Sequence, residues 1–220
     1  MKLILFMKLF FLILISLFTA FPLFSQLKEG YFKFDIQVKS LDTSQQVRQM
    51  MRMYRNSTME LFFDLDHARI DFVLGKFGQM STRLNYKDDV GLSMSNTIQG
   101  KYATTGSVEA ISNNEKDENI VTRVVPFDEY KTILGFKCKK YIVDEGEGNR
   151  ATYWCTEEIA LDDRLKNIIN DVLPAFPLAF SSTQNGLKMY YQAVDFREKV
   201  ENPKITFDTS VPKGFKAVEK

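Results

Sequence analysis

YFKFDIQV, residues 31–38, decides the fold class. Phe32, Phe34, Ile36 and Val38 alternate with Lys33, Asp35 and Gln37. A side-chain period of two sends the apolar set to one face of a strand and the polar set to the other. The same alternation recurs downstream. STMELFFD (57–64), ARIDFVL (68–74) and MSTRLNY (80–86) are separated by short polar or glycine punctuation, Asp66-His67 and Gly75-Lys76 among them. VGLSMS (90–95) and IQGKYAT (98–104) continue the series. This spacing predicts antiparallel meander strands. SNNEKDEN (112–119), a charged stretch without an apolar residue, breaks it. Strands resume from Val121 to Tyr130, through a hairpin at 138–155, and in GLKMYYQAVDF (186–196) and KITFD (204–208). About ten strands at such spacing suit a barrel or a strongly curved sheet.

Two segments follow a different period. In DTSQQVRQMMRMYR (42–55), Val47, Met50, Met51 and Tyr54 recur at helical spacing, with Arg48, Arg52 and Arg55 opposite. That predicts an amphipathic helix capped by Asp42 or Thr43. In LDDRLKNIINDVLP (161–174), Leu165, Ile168, Ile169 and Val172 repeat the stripe, and Pro174 ends it. A curved sheet has a concave face that cannot be left wet, so both stripes are expected to cover it.

The two cysteines, Cys138 and Cys155, bracket a glycine-rich turn. With Gly146-Glu147 as a two-residue loop, Cys138 faces Cys155 at a non-hydrogen-bonded site, where strands come close enough for a disulfide. The alternative is two reduced, half-buried thiols. No metal site is expected, because two sulfurs and one distant histidine do not complete a tetrahedron.

The chain opens with Lys2 and Lys8, an apolar run from Leu9 to Ile15, and a largely apolar continuation ending at Ser25-Gln26. That pattern predicts a signal peptide over 1–25 and a single domain over 26–220. Its removal takes two lysines and no acid, leaving 27 basic against 28 acidic residues and a net charge of −1. This balance gives no electrostatic case for nucleic acid. No other apolar segment of the mature chain is long enough to span a membrane.

MELFFDLDHARIDF (59–72), LNYKDDVGLSMSNTIQGKYAT (84–104), KTILGFKCKKYIV (131–143), YWCTEEI (153–159) and TSVPKGFKAV (209–218) together resemble a secreted Bacteroidetes family with a domain of unknown function. That family is related in fold to the lipoprotein carriers (LolA/LolB-like). The resemblance implies a half-open antiparallel β-barrel, mainly β with two short helices covering its concave face. It implies a concave surface that holds lipid or acyl chains, and it transfers no functional residue.

Catalysis has little support in the residues. His67, the sole histidine, sits between Asp66 and Ala68 at a strand junction, where a turn or surface role fits better than a general base. No nucleophile-elbow or zinc-protease motif is present. Glu157, Glu158, Asp162 and Asp163 suit a solvated helix start. No cofactor is implied. The expectation is therefore a periplasmic or secreted, non-enzymatic binding protein for a lipid-like or other apolar ligand. Val47, Met50, Met51, Tyr54, Leu165, Ile168, Ile169 and Val172 are its candidate contacts. The alternative is a structural or interaction module of the envelope with a protein partner and no small ligand. The exported protein should begin at Gln26 or within a few residues of it. Intact-mass measurement checks this, and retention of Met1 would refute it.

Overall fold

The computed structural model describes residues 27–40, 44–112, 123–144, 150–159, 172–184 and 187–219. Among them lie twelve strands: β1 (Gly30–Ser40), β2 (Ser57–Phe63), β3 (His67–Val73), β4 (Gly78–Asn85), β5 (Val90–Thr97), β6 (Gly100–Gly106), β7 (Arg123–Ile133), β8 (Phe136–Asp144), β9 (Arg150–Thr156), β10 (Phe176–Gln184), β11 (Leu187–Arg197) and β12 (Lys216–Glu219). Short helices are α1 (Gln45–Met53), α2 (Val108–Ser112) and α3 (Pro203–Thr206). All strands join one sheet in the order β12-β6-β5-β4-β3-β2-β1-β11-β10-β9-β8-β7. β7 and β12 are its two edges, so this mainly-β sheet is open and does not close on itself. The pairing is antiparallel except at one edge, where β12 runs parallel to β6.

The alternation read in β1 builds the core. Phe32, Phe34 and Ile36 are buried with Met59, Leu61 and Phe63 of β2 and with Tyr191 and Ala193 of β11. The Phe32 ring lies 4.8 Å from Phe176 and 4.7 Å from Phe196. Burying each such side chain contributes roughly 1.5–3 kcal/mol.

Three sequence expectations are corrected. KITFD is not a strand. Asn202, with φ at +49°, turns the chain, and Pro203 opens α3, whose first-turn position tolerates a missing N–H. α1 is capped by Ser44, whose Oγ accepts from Val47 N at 3.4 Å, and not by Asp42 or Thr43. Its far end rests on the β3–β4 turn. Lys76 N donates to Met53 O at 2.8 Å, and Tyr54 stacks on Phe77 at 5.1 Å. A Cβ on Gly75 would come within 2.0 Å of Met53 O, so only glycine fits there.

The third correction is the disulfide. Cys138 and Cys155 are free, buried thiols. The β8–β9 ladder pairs Asp144 with Arg150 and Lys139, not Cys138, with Cys155. The connection spans residues 145–149 and is odd in length, where a two-residue turn would have been even. That one-residue slip turns the two sulfurs to opposite faces of the sheet. Cys155 packs with Tyr141, Val143 and Tyr153, and Cys138 joins the main core.

Burial pushes the Cys138 thiol up to about 11 and the Cys155 thiol up to about 12. Neither should react with an alkylating reagent near neutral pH in native protein, and both should react after denaturation without reductant. A thiol held protonated by the fold stabilises it fully below the ordinary thiol range and loses that contribution as pH rises towards about 11. A stability curve against pH should therefore fall between pH about 9 and 11 in wild type, and less steeply in Cys138→Ala.

Candidate functional site

The polar face of β1 is where the strands build a trough. Asp35, Gln37 and Lys39 point away from the core and stand opposite Gln192, Tyr190 and Lys188 of β11. On β10, Ala179 lies opposite Gln192 and Ser181 opposite Tyr190. On β9, Trp154 lies opposite Ala179. Small side chains in the middle strand, with Tyr190 on one side and Trp154 on the other, leave a cavity of about 430 Å³. Two irregularities deepen it. Val194 is an extra residue in β11 between the Lys33–Asp195 and Phe34–Ala193 pairs. Such a bulge bends its strand. The β9–β10 ladder stops at the Tyr153–Phe180 pair, and beyond it Thr152 N donates to Ser181 Oγ at 3.2 Å instead of to backbone.

Charge is unevenly placed here. Lys131 Nζ lies 4.6 Å above the Trp154 ring. Lys39 and Lys188 lie 5.2 and 5.5 Å from the Tyr190 ring. Among the described residues none of these three lysines has a carboxylate in ion-pair range. At the rim, Lys140 differs, paired with Glu129 at 2.9 Å. Burial pulls the Lys131 ammonium below the ordinary lysine range, with the Cys138 thiol acting in the opposite sense.

A second cavity of about 430 Å³ lies under the C-terminal segment, against β3–β5. Here the charges are consumed by the fold. Arg69 Nε donates to Asp71 Oδ1 at 2.9 Å, and Arg69 Nη1 donates to the Thr206 carbonyl at 3.0 Å. Arg83 Nη1 donates to the Asp208 carbonyl at 2.6 Å. Phe215 covers Leu92, Met94 and Ala103, and the Phe207 ring stacks on His67 at 5.1 Å. These contacts fasten the chain end to the sheet. Ser81 Oγ and Arg83 Nε are buried beside it with no partner among the described residues.

Of the candidate contacts read from sequence, Val47 and Met51 on α1 and Tyr54 at its C-cap are half-buried. The Met50 side chain and residues Leu165, Ile168 and Ile169 lie outside the described residues, and Val172 is 41% exposed. None of the described ones lines either cavity. His67 is held by Asp64, Nδ1 to Oδ1 at 2.9 Å. Among the described residues, no group of three or more His, Cys, Asp or Glu side chains could hold a metal ion. No helix among them is long and apolar enough to cross a membrane. Sequence reasoning missed Trp154, Tyr190, Ala179 and Ser181. The available signal was the single tryptophan of the chain and the charged half of the 31–38 alternation.

No protein-family model and no curated protein sequence matches the chain. Solved structures do. An uncharacterized conserved protein from Thermus thermophilus superposes with a TM-score of 0.50 at 9% identity, over 88% of this chain and 92% of that one. A LolA superfamily protein from Nitrosomonas europaea matches with a TM-score of 0.34 at 7% identity, over 86% of this chain and 92% of that one. PNGF-II matches with a TM-score of 0.44 at 15% identity. That match covers 87% of this chain, which spans only 31% of PNGF-II. The first likeness shows the fold alone, and the two looser ones carry nothing further. The kinship with a Bacteroidetes family stays a resemblance.

Ser181→Ala should leave the Thr152 N–H without its acceptor while removing almost no volume. Denaturant unfolding should show a loss of about 1–2 kcal/mol, and no loss would mean that the gap between β9 and β10 closes by itself.

Proposed function

We propose that the chain is an exported, non-enzymatic binding protein of the cell envelope that holds an amphipathic small molecule in the trough on β1 and β9–β11. The observation that carries this is the trough itself. Its volume of about 430 Å³ is of ligand size. The Trp154 and Tyr190 rings wall it, and polar groups converge on it from five strands. The lysines modify the apolar ligand expected from the sequence, because a wholly apolar ligand would strip water from ammonium groups and return nothing. A lipid-like body with a polar end satisfies both parts of the lining. The stripes at 47–54 and 165–172 stay in this reading as candidate cover for the apolar end, since α1 follows directly from β1.

One observation favours the other reading, a protein-interaction module. Phe127 and Tyr130, 40% and 48% exposed, lie on the edge strand β7. An edge strand can pair with another chain. Trp154, the only tryptophan, discriminates between the two. Adding N-phenylnaphthylamine, a neutral apolar fluorophore, should quench Trp154 emission by energy transfer in a saturable way, and Trp154→Phe should abolish that transfer signal. Absence of saturable quenching would sink the trough as a ligand site.

A further inference from the structure

We infer that the trough's ligand carries an acid group, a carboxylate or a phosphate, on an apolar body, and that Lys39 and Lys188 receive that group. The inference rests on the reading of the trough as a ligand site and adds the ligand's chemistry. Lys39 and Lys188 stand directly opposite each other across the β1–β11 ladder. Like charges in that position destabilise a sheet. Both ammonium groups share one ring, Tyr190, which attracts them without neutralising them. With Lys131 the lining, among the described residues, holds three lysines against one carboxylate, Asp35, a local excess of two positive charges. The remaining polar lining, Gln37, Gln192, Thr152 and Ser181, is uncharged.

The excess is local, because the whole chain is nearly balanced at +1. Arg69 and Arg83, which also stand opposite each other across the β3–β4 ladder, are by contrast anchored by Asp71 and by the Thr206 and Asp208 carbonyls. A like-charged pair kept opposite itself, at the mouth of a ligand-sized trough, is the local rule that function breaks. An anion between the two ammonium groups turns the repulsion into two charge-assisted contacts. The apolar body then runs along the small side chains of Ala179 and Ser181 towards Trp154. A neutral ligand would leave the pair uncompensated, and a cationic one would add to the repulsion.

The test uses the full mature chain and three probes of equal chain length: decanoate, decyl phosphate and decanol, each below its micellar concentration, with Trp154 emission as readout. At low ionic strength at least one acid should bind about tenfold more tightly than decanol. Whichever acid leads identifies the head group as carboxylate or phosphate. The preference should shrink several-fold in Lys39→Gln, in Lys188→Gln and at high ionic strength. Lys39 is exposed, so K39Q carries the test even if K188Q does not fold. Equal binding of decanol and both acids would overturn the inference while leaving the trough as a site. An acid preference unchanged in both variants would overturn the assignment to this lysine pair. If no probe moves Trp154 emission, the trough itself fails as the site, and the inference fails with it.

Discussion

Everything in this sheet hangs on the β1–β11 ladder. The chain forms two meanders, β1 to β6 and β7 to β11, and this ladder is the strand pairing that joins them. Its register, from Tyr31 opposite Arg197 to Ser40 opposite Leu187, fixes both faces at once. On one face Ile36 meets Tyr191 and Phe34 meets Ala193. On the other Asp35 meets Gln192, Gln37 meets Tyr190 and Lys39 meets Lys188. A slip by one residue would exchange the faces, burying charge and exposing phenylalanine. The core therefore specifies this side of the trough: the burial that selects the register also puts Tyr190 beside Gln37 and Lys188 beside Lys39. Because the two strands are far apart in sequence, closing this pairing costs much chain entropy, and the aromatic cluster around Phe32 is what offsets it.

Charge is handled differently at the two cavities. On the β2–β5 half, cations and anions are matched within the fold. Arg69 holds Asp71 and reaches the Thr206 carbonyl, and Arg83 holds the Asp208 carbonyl. Near the seam, Tyr31 donates to Glu60 at 3.0 Å, and burial, with Glu60 next, raises the phenol well above its ordinary value. Around the trough, Lys39 of β1, Lys131 of β7 and Lys188 of β11 meet aromatic rings instead. Rings hold an ammonium weakly enough for it to move. A cation on a ring can turn to an arriving anion, whereas a cation in a bidentate ion pair must first lose its partner.

How much of this was legible follows from how local each signal is. The alternation of Phe32, Phe34 and Ile36, and its repeats through Thr104, announced the first meander because the period is written in adjacent residues. β10 was missed because FPLAFSSTQ does not alternate: Leu178 is an extra residue in the β9 ladder, and the strand is buried or small on both sides. KITFD alternates and yet is helical, because Asn202-Pro203 sets the backbone before the side chains can. The cysteine hairpin failed on one residue of loop length, which Gly146 and Gly148 leave ambiguous and which only the packing of Val143, Ala151 and Cys155 on one face resolves. The trough was invisible for a related reason. Ala179, Ser181, Trp154 and Tyr190 come from three strands, and a dent made of small residues between large ones exists only once both ladders, β9–β10 and β10–β11, are known.

Where the trough lies also bears on what occupancy could do to the fold. Its lining comes from β1 on one side of the seam and from β7, β9, β10 and β11 on the other. A ligand there touches both meanders and bridges the ladder that joins them. It also lies over the stretch of β10 beyond Phe180, where Ser181 Oγ replaces a backbone acceptor. Fewer ladder bonds at that point make it the softer part of an otherwise continuous sheet. The packing that holds the trough open is on the opposite face, where Phe180 stacks on Tyr153 at 5.6 Å and on Tyr191 at 4.4 Å. Those rings keep β9, β10 and β11 at fixed spacing without using the polar face. The core rings set the distance between strands, the small residues of β10 set the depth, and Lys39, Lys131 and Lys188 meet rings and, among the described residues, no carboxylate in ion-pair range.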